Sequence, residues 1–351
     1  MTLETLLTSM NDTGASDLHL KVDSPPVLRV DGELHPIAGV PALTGEEVLA
    51  VFRQLTDESQ REAFEAAREL DFSYEGARAR FRVNASMQRG TISLALRRLS
   101  LQIPTLEQLN LPPICAELAV NRQGLVLLTG PTGSGKSTTL AAMIEHINRT
   151  EARRVVTIED PIEYVHSDQR SIITQREVGR DTNSFAMATR QALRQDPDVI
   201  LVGEMRDRET MAACLTAAET GHLVLSTLHT NSGPETIDRI VDTFPAHQQG
   251  QIRMQLSLTL VAALSQALLP RLDGQGRVPA LEIMIASNAI RNLIREGKTH
   301  QMAGVMQTAR QSGMQTMDQA LVDLYRQGLI DIDSARSYAH DASSLQALLA
   351  G

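Results

Sequence analysis

Tryptophan is absent from this 351-residue chain, and only four tyrosines and six phenylalanines supply its aromatic rings. Proteins that hold single-stranded nucleic acid stack bases on such rings and follow the backbone with positive charge. Here rings are scarce and the formal net charge is −9, so no nucleic-acid partner is expected. Cysteine is equally scarce: Cys115 and Cys214 stand far apart, in no paired spacing. Two thiols exclude a four-cysteine zinc site and point to a reducing compartment. Long apolar runs are missing too. The most apolar stretch, LSLTLVAALSQALLP (256–270), is too short and too interrupted to span a bilayer. The opening MTLETLLTSMNDTG has no Lys or Arg ahead of an apolar run and does not read as a secretory signal. A cytosolic globular chain is expected, with 42% hydrophobic and 21% charged residues and a length that suits two domains.

What is present falls into two textures. The first hundred residues read as short strands and helices. VLRVDGELHPI (27–37) alternates around Asp31-Gly32 and predicts a hairpin. ARARFRVNASMQRGTISLALRRL (77–99) predicts a second, turning near Arg89-Gly90, and the stretch 45–70 has the charge density and spacing of helices. Pro104 and Pro112-Pro113 punctuate a stretch of poor periodicity, which gives a first domain over 1–100, a linker over 101–115 and a second domain over 116–351. Beyond residue 120 come continuous apolar runs: GLVLLT (124–129), RVVTIED (154–160), DVILVGE (198–204) and HLVLSTLH (222–229). Such runs suit a parallel sheet buried on both faces. Helical stretches separate them; in one, Leu140, Met143, Ile144 and Ile147 share a face. Strand alternating with helix predicts a doubly wound α/β domain whose ligands sit at the carboxyl ends of the strands.

The first of those ends carries Gly130-Pro-Thr132-Gly133-Ser134-Gly135-Lys136-Ser137-Thr138, which fits the phosphate-loop pattern G-x-x-x-x-G-K-[ST] in full. A buried strand precedes it and an amphipathic helix follows. The glycines let consecutive N–H groups turn inward as an anion nest, and the helix adds its positive end. Lys136 is expected to reach the β- and γ-phosphates and Ser137 to ligate Mg²⁺, so the chain should bind ATP or GTP. The second run closes on Glu159-Asp160-Pro-Ile-Glu163. The third closes on Gly203-Glu204, with glycine where an ordinary Walker B strand places its metal-holding Asp. Glu204 then reads as the group that polarises the attacking water. Metal-holding falls more heavily on Ser137, bound water and the cluster around Glu159. His222 and His229 bound the fourth run, and their odd separation turns the two rings to opposite faces, against a shared metal. His229, at the carboxyl end, is placed to sense the γ-phosphate. His222, at the amino end, reads equally as a structural histidine.

In the first domain Arg78, Arg80 and Arg82 recur at every second residue and share one strand face. A turn at Arg89-Gly90 sets Arg82 across from Arg97. Like charges opposite one another are unfavourable unless something anionic lies between them. The face is either a solvated basic surface or one that meets a phosphate bound elsewhere, as fingers supplied in trans.

The order GPTGSGKST, TIEDPIEY, LRQDPDVILVGEMRD, TGHLVLSTLHTNS closely resembles the Walker A, Asp-box, atypical Walker B and His-box motifs of the secretion ATPase superfamily. SDLHL (16–20), PPVLRVDGEL and FRVN (81–84) resemble its N-terminal domain. AIRNLIRE (289–296), otherwise simply a helix burying Ile290, Leu293 and Ile294, resembles the signature of the branch that retracts type IV pili, and QTMDQALVDLYRQGLI (315–330) is similar to the same branch. The resemblance implies a RecA-like phosphate-loop ATPase domain with a C-terminal helical region, preceded by a smaller α+β, PAS-like domain. It implies a homohexamer that binds ATP and Mg²⁺ where one subunit's N-terminal domain meets the next subunit's ATPase domain. By position, Lys136 and Ser137 hold phosphates and Mg²⁺, Glu204 and Glu163 serve hydrolysis, His229 and His222 couple nucleotide state to domain position, and Arg82 and Arg97 are candidate fingers. Implied partners are an inner-membrane platform protein and, for an accessory member, a second retraction ATPase; the implied location is the cytoplasmic face of that membrane. A nucleic-acid-translocating ring and a non-hydrolysing nucleotide sensor are the alternatives.

Overall fold

The computed structural model describes residues 2–76, 79–99 and 102–350; Arg78, the first arginine of the predicted basic face, lies outside the described residues. The chain divides into two compact units, Met1–Gln102 with Asp160–Val165, and Ile103–Glu159 with His166–Gly351.

The first unit runs α1 (Leu3–Asp12), β1 (Asp17–Lys21), β2 (Val27–Val30), β3 (Glu33–Pro36), α2 (Gly45–Leu55), α3 (Glu58–Ala67), β4 (Glu69–Glu75), β5 (Arg80–Gln88) and β6 (Thr91–Leu99). Its six strands form one antiparallel sheet in the order β3-β2-β1-β6-β5-β4. Both expected hairpins are present: Asp31-Gly32 and Arg89-Gly90 all take positive φ, as two-residue turns between twisted strands require. The predicted helical stretch 45–70 is two helices, each opened by a reciprocal cap, Thr44 with Glu47 and Asp57 with Gln60. It ends early. Arg68 turns left-handed, so Glu69 and Leu70 begin β4 instead. Phe81, Val83, Leu94 and Leu96 are buried with Phe52 and Phe64, and period-2 alternation puts Arg82 and Arg97 on the opposite sheet face.

The second unit carries α4 (Ile114–Ala119), β7 (Gly124–Thr129), α5 (Lys136–Thr150), β8 (Arg154–Glu159), β9 (Ile172–Glu177), α6 (Phe185–Ala192), β10 (Val199–Val202), α7 (Arg208–Glu219), β11 (Leu223–Thr227), α8 (Gly233–Asp242), α9 (Ala246–Thr259), β12 (Leu260–Pro270), β13 (Arg277–Ile285), α10 (Asn288–Glu296), α11 (Met302–Thr308), α12 (Met317–Arg326), α13 (Ile332–Tyr338) and α14 (Ala342–Ala350). The four apolar runs are β7, β8, β10 and β11, side by side and parallel in the sheet β13-β12-β7-β11-β10-β8-β9. Only β13 runs antiparallel to its neighbour. Every residue of β7, β10 and β11 is buried, which is why these runs show no alternation. The stretch LSLTLVAALSQALLP is the end of α9 followed by β12, and no helix among the described residues is long and apolar enough to cross a membrane. Within the stretch read as a linker, Leu106, Leu111 and Cys115 are buried in this unit's core.

AIRNLIRE forms α10, capped by Ser287 and by Gly297 at φ 68°. Ile290 and Ile294 are fully buried, while Leu293 is half-buried. Arg291 does what periodicity does not show. Its guanidinium donates to the carbonyls of Ser257, Leu258 and Leu260, satisfying the open end of α9.

Helix α5, which leaves the phosphate loop, is anchored at its far end by Glu145. This carboxylate is buried and accepts from Arg149 Nε (2.8 Å), Gln169 Nε2 (2.7 Å), Asn148 Nδ2 (3.2 Å) and His166 Nδ1 (3.3 Å). Burial alone would raise the Glu145 carboxyl, but these donors bring it below its ordinary value. Burial holds His166 below its ordinary 6.5, partly opposed by Glu145. A histidine lowered in this way favours the folded state fully above 6.5 and loses that contribution as pH falls from there towards its folded value. Glu145 adds a loss of the same sign below its ordinary 4.5. The melting temperature should therefore fall between pH 7 and pH 5. His166→Leu, which strips a donor from buried Glu145, should cost about 1–3 kcal/mol at pH 7 and flatten that slope. Calorimetry across the range checks both; an unchanged slope in the variant assigns the pH dependence elsewhere.

Candidate functional site

The carboxyl edge of the parallel sheet carries the phosphate loop, Glu159, Glu204 and His229. Strand β7 ends at Thr129, and the chain turns through residues 130–135 into α5, whose first residue is Lys136. Gly130 holds φ 136° and Gly135 φ 88°. A Cβ at Gly130 would lie 2.3 Å from the Gln266 carbonyl oxygen, so no other residue fits there. Lys136 Nζ donates to the Gly130 and Pro131 carbonyls at 2.8 and 2.9 Å, curling along the loop. Burial lowers the Lys136 ammonium from its ordinary value, and the negative charge of Glu204 partly opposes this. Ser134 Oγ is buried with no hydrogen-bond partner. Thr132 and Ser137 are exposed at the loop and at the first helical turn, and Thr138 is half-buried.

Glu204 follows β10 at the same edge. The chain can turn there because Gly203 donates to the Ile158 carbonyl (2.8 Å) while its own carbonyl accepts from Thr227 Oγ1 (2.7 Å). The Glu204 carboxylate lies 2.6 Å from Arg206 Nε and 3.4 Å from His229 Nε2. Glu159, ending β8, accepts from Thr157 Oγ1 (2.6 Å) and Gln175 Nε2 (3.1 Å). The unit thus gathers an anion nest, an ammonium, and a carboxylate steered by an arginine and a histidine. The donor set fits a nucleotide phosphate, since a glycine cradle, the start of α5 and an unsatisfied Ser134 hydroxyl converge on one loop. It also fits a hydrated Mg²⁺ carried by phosphates, with the exposed Ser137 hydroxyl as protein ligand. Among the described residues no three His, Cys, Asp or Glu converge to cage an ion.

His222 is not brought to this edge. It precedes β11, where its carbonyl accepts from Gly124 N at the start of β7, and its Nδ1 sits 3.0 Å from the Ala217 carbonyl. Strand direction sets His222 and His229 at opposite ends of β11, as their positions on the fourth run predict.

Arg82, Arg97, Asp160 and Glu163 belong to the first unit. Arg82 and Arg97 face each other in register, as the hairpin predicts. The anions between and around them come from the protein itself. Arg82 forms a forked pair with Asp71, its Nε 3.2 and 3.1 Å from the two oxygens, and stands 3.6 Å from Glu163. Arg97 Nε donates to Asp17 at 2.8 Å. Asp71 raises the Arg82 guanidinium further; burial alone would raise the Asp17 carboxyl, but Ser16 and Arg97 bring it below its ordinary range. Arg80 donates to Ser73 at 2.8 Å.

Three contributors escape sequence reasoning. Arg206 is one. Thr129 and Ser265, whose hydroxyls meet at 2.8 Å, form the second. Gln266 is the third: it donates to the Ser134 carbonyl (2.7 Å) and accepts from Thr139 (2.9 Å). The available signal was Ser265-Gln266, a polar pair inside an otherwise apolar run.

Fold and site together define a phosphate-loop ATPase, a seven-stranded sheet with its nucleotide-binding loop between β7 and α5. The chain belongs to the type II/IV secretion system protein family, which matches residues 1–275. It is 48% identical to the type IV pilus retraction ATPase PilT of Pseudomonas aeruginosa over 340 residues, covering 97% of this chain and 98% of that one. It is 50% identical to a twitching motility protein of Neisseria gonorrhoeae over 321 residues, 91% of this chain and 86% of that one. Among solved structures, the pilus retraction motor PilT with bound ADP superposes with a TM-score of 0.92 at 47% identity, covering 99% of both chains.

Proposed function

We propose that this chain is an ATPase motor of type IV pilus retraction, working as a homohexamer against an inner-membrane platform protein at the cytoplasmic face. The observation that carries this reading is the likeness to PilT along nearly the whole of both chains, with the retraction-branch helix AIRNLIRE folded as α10. In it, the N–H groups of Gly130–Gly135, with Thr132 and Thr138, cradle the phosphates, and Lys136 neutralises the β- and γ-oxygens. Ser137 would hold Mg²⁺, which when bound would shield the phosphate charge from the attacking water. Glu204 takes up the proton of that water, and the nearby Arg206 and His229 hold its carboxylate aimed. Glu159 would support the water shell of that ion. By their place in the family's motifs, Asp160 serves nucleotide binding and Glu163 hydrolysis, and Arg82 and Arg97 serve the neighbouring subunit's phosphates after leaving Asp71 and Asp17. A second retraction ATPase of the same family is a candidate partner in the same machine.

Live imaging of labelled pili in a strain lacking this gene tests the reading. Pili should extend normally and fail to retract until the native chain is restored. Normal retraction without the gene would make the chain an assistant to another motor, and loss of extension would place it in a different machine.

A further inference from the structure

We propose that Gln266 is a positioning residue for nucleotide binding: its side-chain amide sets the peptide that aims the Gly135 N–H into the phosphate nest. The proposal rests on the reading of residues 130–138 as the phosphate loop.

The placement comes from strand order. Strand β12 lies beside β7 in parallel register, Ser265 opposite Thr129, so the next residue, Gln266, stands where the loop leaves the sheet. It touches the loop at both ends. Its backbone oxygen occupies the space a side chain at Gly130 would need, and its Nε2 lies 2.9 Å from where a Cβ at Gly135 would be. The residue is 3% exposed, so no water competes for its bonds.

The orientation of the amide is determined by its partners. The Ser134 carbonyl can only accept, so the nitrogen must face it, at 2.7 Å; the oxygen then faces the Thr139 hydroxyl at 2.9 Å. Thr139 is itself buried in the first turn of α5, and it stops the amide from rotating. In a planar trans peptide the C=O and the following N–H point in opposite directions. Drawing the Ser134 carbonyl toward β12 therefore turns the Gly135 N–H away from β12, to join the helix-start donors that receive an anion. Gly135, at φ 88°, leaves this peptide unusually free to flip, and Gln266 is what holds it.

Gln266→Glu is the discriminating variant, because it keeps size and shape. It retains an acceptor for Thr139 but sets an anionic oxygen against the Ser134 carbonyl, so the peptide should turn over. Calorimetric titration of the purified full chain with ADP and ATP should show affinity weakened about tenfold or more, and kcat at saturation should change less than about threefold, as for a contact made equally in ground and transition states. Gln266→Met, apolar and of similar length, should weaken binding less than Gln266→Glu, because it repels nothing. Thr139→Val should loosen binding and Thr139→Ser restore it. The outcome that overturns the proposal is equal affinity in Gln266→Glu and the native chain, or equal loss in Glu and Met variants in step with a lowered melting temperature, the pattern of a residue that only supports the fold. Lys136→Ala separates this from failure of the underlying reading. If that variant still binds ATP normally, the loop is not the nucleotide site, and both readings fall together.

Discussion

Lys136→Ala should abolish measurable nucleotide binding at concentrations that saturate the native chain. Among the described residues the ammonium is the only basic group carried by the loop itself, and it already lies against the Gly130 and Pro131 carbonyls. Charge-assisted hydrogen bonds contribute about 1.5–3 kcal/mol each, so losing two phosphate contacts should weaken binding by roughly a hundredfold or more, on the order of 3–6 kcal/mol. Titration with ADP and ATP is the direct check, with a melting curve beside it. The buried, charged lysine carries a desolvation cost, so the variant should fold at least as well as the native chain. A variant that binds ATP with native affinity would place the nucleotide elsewhere.

Glu204→Gln should give the opposite profile, with binding kept and turnover lost. The substitution preserves shape and removes only basicity. General-base contributions run at about 10²–10⁴-fold, so phosphate release should fall by roughly a thousandfold while nucleotide affinity changes little. The amide also weakens the link to Arg206 and His229, both of which meet the same carboxylate oxygen. Phosphate release with single-turnover kinetics separates the two effects. Turnover within about tenfold of native would transfer the base to another carboxylate, with Glu159 and Glu163 next to be tested.

Much of this molecule was legible in its sequence because the signals are local. The phosphate loop declares itself through residues consecutive in the chain, and its glycines mark positions where a side chain has no room. The two hairpins were legible from Asp31-Gly32 and Arg89-Gly90, since a two-residue turn needs positive φ from those very residues. The four buried strands announced themselves by lacking alternation. Even the opposition of Arg82 and Arg97 followed from counting outward from a turn. The helical reading of 45–70 failed at its end for a reason of the same scale, a left-handed Arg68 whose backbone no periodicity reports.

By itself, then, the sequence determined the elements, the nucleotide loop and the strand ends on which its chemistry sits. Tertiary structure alone decided which strands became neighbours, and with them the partners of each charged group. Strand β12 lies against β7 although more than a hundred residues separate them, and so Gln266 comes to the loop. Asp17 and Asp71 reach the facing arginines from two different strands, β1 and β4. Arg291 closes α9 from a helix on the far side of a hairpin. Periodicity states which face a residue occupies, because that depends only on the local backbone repeat. Partners depend on sheet order, which is set by how all the buried faces pack at once.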